Sequence, residues 1–241
     1  NILRKFLWKI ISNKIYKVTT PTASMANELV NNKIFSKKKI KVLFDPIINL
    51  ENLRISKKKT KENLNNQNKI IAIGRLTKQK NFSFLIDCFS NLVKKHKSLT
   101  LHILGDGDQK KNLKKLIKSK NLSDKIFLHG HKDNINEYLQ KSFCFVLSSL
   151  WEDPGFVIIE AAMCNTVILS SDCETGPKEL LKDKINSFVF RSNNKESFIK
   201  SFENLVKSNE IEKFSIKKRM KKDIKKFTLI EHFRTLRKII L

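Results

Sequence analysis

"KIIAIGRLTKQKNFSFLIDCFSNLVKKHKSLTLHILG", residues 69–105, holds two short apolar runs separated by a basic turn and an amphipathic stretch. The first run, 69–74, is Ile-rich and closed by Gly74, as suits a strand buried on both faces. In the stretch that follows, Phe82, Leu85, Ile86, Phe89, Leu92 and Val93 recur at spacings of mostly three and four, which predicts a helix with one apolar face. The run at 99–105 repeats the first. Strand, helix and strand in that order make a βαβ unit, with parallel strands and a right-handed crossover.

The alternation continues outward. Further β-like runs stand at "KIFLHG" (125–130), "FCFVLSS" (143–149), "TVILSS" (166–171) and "SFVF" (187–190), with amphipathic segments between most of them. The expected fold class is α/β, a Rossmann-like parallel sheet with helices on both faces over residues 69–226, beside a fragment of a second α/β domain. Residues 1–50 read as the end of that second domain: a helix at 1–14, a strand at 14–21, a helix at 23–32 and an extended piece at 39–47. A charged, Asn-rich stretch at 51–68 reads as a linker. The last helical segment, 227–241, carries an apolar stripe that needs a partner surface, expected on the N-terminal domain.

Composition narrows the classes. No stretch approaches the roughly 20 apolar residues that cross a bilayer, and the four cysteines show no CxxC spacing, which favours buried free thiols over zinc or a disulfide frame. The net charge is +26, with +11 in residues 1–68, +7 in 69–194 and +8 in 195–241. Such a charge raises RNA binding as an alternative, yet 42 of the 49 basic residues are Lys and 7 are Arg. Base and phosphate readers favour the Arg fork, so nucleic acid is not the expected partner. The charge leaves room for peripheral contact with an anionic membrane.

The chemistry is expected at the rim where ligands of such sheets sit, beyond the carboxyl ends of the strands. The six glycines, Gly74, Gly105, Gly107, Gly130, Gly155 and Gly176, all fall after one of the first five strands of this alternation. Arg75 follows Gly74 at the turn, and Lys80 stands before a helix whose expected cap is Asn81. A guanidinium, an ammonium and a helix start around one point suit a diphosphate. After the strand at 143–147, Asp153 reads as an N-cap and Pro154 as a first helical residue, leaving Gly155 and Phe156 with free N–H groups. Glu152 would then hang over the rim, with Glu160 about two turns inside an apolar helix. A carboxylate so buried needs partners, and vicinal hydroxyls of a ribose or hexose would supply them. A salt bridge to a nearby Lys is the plainer account of Glu160.

"GRLTKQKN" (74–81), "ILGDGDQKKNL" (103–113), "KIFLHGH" (125–131) and "SLWEDPGFVIIEAAMCNTVILSSDCETGPKEL" (149–180), with its E-x7-E pair, resemble the donor-binding half of the retaining family-4 glycosyltransferases, which have the GT-B fold. The resemblance covers roughly residues 15 to 190. It implies transfer of a sugar from a nucleoside-diphosphate sugar to a glycan or lipid-linked acceptor, with retention, no metal and no cofactor beyond the donor itself. Arg75 and Lys80 match the pair that holds and stabilises the departing diphosphate, and Glu152 the residue that contacts the donor sugar; these three are the expected catalytic residues. Glu160 matches the ribose-binding Glu. Gly155, Phe156 and Val157 match the loop facing sugar and phosphate, Gly74 the turn before the cations, and Gly130 and His131 the turn that lines the nucleobase. Most of the N-terminal acceptor domain of that family is expected to be missing. A cytoplasmic site at the inner face of the membrane follows from the resemblance. A non-catalytic nucleotide-binding module is the alternative.

Overall fold

A computed structural model describes residues 2–49 and 68–241. The chain forms two compact units, Asn1–Asn49 with Lys225–Leu241 and Leu50–Ile224. The segment expected to be a linker, 51–68, lies outside the described residues apart from Asn68.

The first unit runs helix α1 (Ile2–Ser12), strand β1 (Val18–Thr20), helix α2 (Ala23–Asn31) and strand β2 (Ile40–Val42). The two strands are parallel, with Val18 opposite Ile40. Helix α2 starts at Thr22, whose hydroxyl accepts from the Met25 N–H at 3.2 Å. A small core of Ile34, Phe35 and Ile40 closes over it. The final helix, Leu229–Ile240, belongs to this unit: Ile48 bridges Thr228, and the His232 imidazole bonds the Phe44 carbonyl at 2.7 Å.

In the second unit β3 (Lys69–Ile73), α3 (Phe82–Lys95), β4 (Thr100–Leu104), α4 (Lys110–Ser119) and β5 (Ile126–Leu128) follow in turn. Then come α5 (Ile135–Gln140), β6 (Cys144–Leu147), β7 (Trp151–Glu152), α6 (Phe156–Met163), β8 (Val167–Ser171), β9 (Glu174–Thr175), α7 (Gly176–Leu180) and β10 (Phe188–Phe190). Helices α8 (Lys195–Lys207) and α9 (Glu210–Asp223) end it. Six strands form one parallel sheet in the order β10-β8-β6-β3-β4-β5. The central strands β6 and β8 are buried along their whole length, which explains why β6 reads as a continuous apolar run rather than an alternating one and why β8 does so until Ser170 and Ser171. Helix α3 buries the face predicted for it, Phe82, Leu85, Ile86, Phe89 and Leu92, with Cys88. Four phenylalanines, Phe188, Phe190, Phe198 and Phe202, fill the far end of the same core. All four cysteines are buried free thiols, and burial pushes Cys88 up to about 12.

Strand order grows outward on one side of β3 and on the other side restarts at β6. The chain therefore reverses between β3 and β6, and the crevice at their carboxyl ends is where such sheets bind ligands. The segments that emerge there are 74–80 and 148–155. Among the described residues no helix is long and apolar enough to cross a membrane.

Candidate active site at the switch point

The two emerging segments are stitched together. The Leu150 N–H donates to the Gln79 carbonyl and the Gln79 amide to the Trp151 carbonyl, each at 2.9 Å. The Ser148 hydroxyl donates to the Lys80 carbonyl at 2.8 Å. Lys80 closes a single 3-10 turn, Lys78–Lys80, and its stem passes over Gly74: a Cβ there would stand 3.1 Å from the Lys80 Cδ and Cε. Glycine at 74 is thus a matter of room for the lysine. The Lys80 ammonium then meets Glu152 Oε1 at 2.6 Å.

Glu152 differs from the sequence expectation. It does not hang over the rim but is 4% exposed, because Trp151–Glu152 forms strand β7 and pairs in parallel with Glu174–Thr175. That ladder also moves the helix start. Residues 151 and 152 are held extended, a cis peptide joins Asp153 to Pro154, and Gly155 with φ +83° turns the chain into α6. The N-cap is Gly155 rather than Asp153, Pro154 is not helical, and Phe156 and Val157 begin the helix. Glu160 accordingly sits one turn in rather than two. Asn81 does occupy the cap position of α3, with φ +52°, but its side chain makes no capping bond and its amide donates to the Asn193 side-chain oxygen Oδ1 instead, at 3.1 Å.

A cleft of about 760 Å³ opens beside this lattice, and Gly74, Arg75, His131 and Glu160 all line it, with Gly105 and Asn136. Arg75 is exposed, and its guanidinium has no hydrogen bond or ion pair among the described residues. Glu160 is partly buried; its carboxylate likewise has no partner there, so the salt bridge considered from sequence does not form among the described residues. Burial holds the Glu160 carboxyl above its ordinary range. His131 is well exposed, 3.3 Å from Asp133. Gly130 stands behind the wall, its carbonyl accepting from the Gly105 N–H at 2.8 Å. The next residue back, His129, bonds His102 at 2.8 Å. Burial lowers both imidazoles, His102 to about 4, so the pair is neutral near pH 7. Lys80, Glu152, Gly130, Gly155, Phe156 and Val157 do not line the cleft itself.

Sequence reasoning passed over Ser148, Ser149 and Gln79. Ser149, 1% exposed, donates its hydroxyl to Glu152 Oε1 at 2.5 Å. The signal available was two serines ending an apolar strand just before a carboxylate.

A six-stranded parallel sheet covered by helices on both faces is the Rossmann-like architecture of the GT-B glycosyltransferases. Residues 54–227 match the family model described as glycosyl transferases group 1, and the chain belongs to that family. An uncharacterised glycosyltransferase of Methanocaldococcus jannaschii is 44% identical over 116 residues, 48% of this chain and 29% of its own length. The Campylobacter jejuni N-acetylgalactosamine-N,N'-diacetylbacillosaminyl-diphospho-undecaprenol 4-alpha-N-acetylgalactosaminyltransferase is 28% identical over 242 residues, all of this chain and 64% of that protein. A mutant of S. aureus TarM, crystallised with Fondaparinux, alpha-GlcNAc-glycerol and UDP, superposes with a TM-score of 0.81 at 22% identity over 99% of this chain and 46% of its own. The chain therefore spans less than two thirds of each of these proteins.

Proposed function

We propose that the unit built on the six-stranded sheet forms the donor-binding part of a retaining, metal-independent glycosyltransferase that moves a hexosyl or N-acetylhexosaminyl group from a nucleoside-diphosphate sugar to a lipid-linked or glycan acceptor. The observation that carries this reading is the cleft in which the Arg75 guanidinium and the partly buried Glu160 carboxylate, neither with a partner among the described residues, face one space. Anion and diol are the two chemistries those groups lack, and a nucleoside diphosphate supplies both. Arg75 and Lys80 would stabilise the charge that grows on the diphosphate oxygen as its bond to the anomeric carbon breaks. Glu152 would accept from sugar hydroxyls and Glu160 from the ribose, with the Gly130–His131 turn beside the base and Gly155, Phe156 and Val157 facing sugar and phosphate. The UDP held by TarM supports a uridine donor, and the diphospho-undecaprenol acceptor of the Campylobacter enzyme supports a lipid-linked one. Such an acceptor would bring the protein to a membrane surface, where the charge of +26 suits anionic lipid.

Calorimetric titration with UDP, UDP-glucose, UDP-N-acetylglucosamine and UDP-N-acetylgalactosamine tests the reading. At least one should bind, and Arg75→Ala should weaken it roughly ten- to hundredfold, the worth of charge-assisted hydrogen bonds to phosphate. Absence of binding to every one, or an unchanged affinity in the Arg75 variant, would overturn it.

A further inference from the structure

Two donors converge on one oxygen of Glu152. Lys80 Nζ lies 2.6 Å from Oε1 and the Ser149 hydroxyl 2.5 Å from the same atom. Among the described residues nothing bonds Oε2. If the function above holds, the lysine has a second claimant. A diphosphate seated at Gly74 and Arg75 arrives where the Lys80 stem already lies, and draws the ammonium with more charge than a single carboxylate does. Glu152, 4% exposed, would then keep one donor among the described residues, Ser149.

We propose that Ser149 is a positioning residue for Glu152, holding Oε1 while Lys80 serves the diphosphate, so that Oε2 stays oriented for a sugar hydroxyl. The proposal rests on the donor reading above. The serine is built to stay in place. It is 1% exposed at the end of β6, and its carbonyl accepts from the Ser171 hydroxyl at 2.8 Å and from the Ser192 hydroxyl at 3.4 Å. Its neighbour Ser148 fixes the Lys80 backbone. In the free protein Lys80 still compensates the charge when the hydroxyl is lost. With donor bound, loss of the hydroxyl leaves a buried carboxylate without a protein partner, and such a group takes up a proton at higher pH.

The test compares Ser149→Ala and Ser149→Thr with the parent in the full-length protein, measuring UDP affinity and the pH dependence of kcat and KM with whichever UDP-sugar the parent uses. In Ser149→Ala, UDP affinity should stay within about twofold, kcat at pH 7 should fall at least tenfold, and the acid limb of the kcat profile should move to higher pH. Ser149→Thr should return that limb to its parental position even if its added methyl lowers Tm, so a packing defect and a lost hydroxyl are told apart. An acid limb unmoved in Ser149→Ala, or UDP affinity falling in step with kcat, would overturn the positioning role. A parent protein that binds no UDP and turns over no UDP-sugar would overturn the function beneath it, and the proposal with it.

Discussion

Lys80 and Glu152 hold each other at 2.6 Å, whereas Arg75 and Glu160 face the cleft without a partner among the described residues. The two cations should therefore answer mutation differently. Lys80→Ala strands a buried carboxylate and should cost about 3–5 kcal/mol of stability, while Arg75→Ala, at an exposed side chain, should leave the chemical-denaturation midpoint unchanged. Glu160 works in the opposite direction. Its carboxyl is raised by burial, so the folded state holds a proton that the unfolded state has released, and the group's contribution to stability is lost as pH climbs from the unfolded value through the folded one. Glu160→Gln should consequently raise Tm at neutral pH. Ribose hydroxyls bound by Glu160 as proposed would need the ionised form, so UDP affinity should fall as pH drops through the raised value. The Gln variant should bind more weakly but without that pH dependence, which titrations across the acid range would show. Arg75 and Glu160 were legible in the sequence because each is unusual where it stands, one of 7 Arg against 42 Lys and one acid in an apolar helix. Ser149 was not, since serine after a strand is common and its value here comes from a carboxylate three residues on whose burial no local pattern announces.

At the scale of elements, periodicity carried the sheet and failed at its rim. The central strands were readable because a strand buried on both faces is apolar along most of its length, as β6 and the Val167–Leu169 run of β8 are. Strands β7 and β9 are two residues each and exist only through one another, so "SLWEDPG" offered capping preferences and hid the ladder that overrides them. The same ladder depends on a close approach. A Cβ on Gly176 would stand 1.6 Å from the Pro154 carbonyl oxygen, so no side chain fits without displacing the turn between β7 and α6. Gly176→Ala should move that turn, and with it Glu152. Urea denaturation should give a loss of more than about 2 kcal/mol, in the upper range for single substitutions, with donor turnover reduced further than stability alone explains. Full stability and normal turnover in that variant would mean that the loop adapts and the ladder does not hold Glu152.

For the whole molecule, the charge of +26 invites a nucleic-acid reading that the site does not need. The distinction can be drawn from how each kind of binding responds to salt. A polyanion lying across a lysine-rich surface releases condensed counterions, and log K falls steeply with log salt, at about 0.7 per phosphate for single strands. A nucleoside diphosphate bound as proposed would meet two basic side chains of the cleft lining, Arg75 and Lys132. Of the groups proposed to meet it, Arg75 is exposed, while Glu160 is partly buried and the Lys80 side chain 14% exposed, which shields those two from ions that screen over about 8 Å at physiological strength. UDP affinity measured between 50 mM and 500 mM salt should therefore fall only severalfold, with a slope no steeper than a diphosphate's own charge implies. Oligonucleotide binding should be detectable at the low end and lost at the high end. The two slopes should also separate by variant: Arg75→Ala should abolish most UDP binding yet leave the oligonucleotide slope unaltered, because one cation in 49 matters to a built site and not to a diffuse coat. A UDP slope as steep as that of the oligonucleotide, shared by the Arg75 variant, would make the cleft just another part of the basic surface.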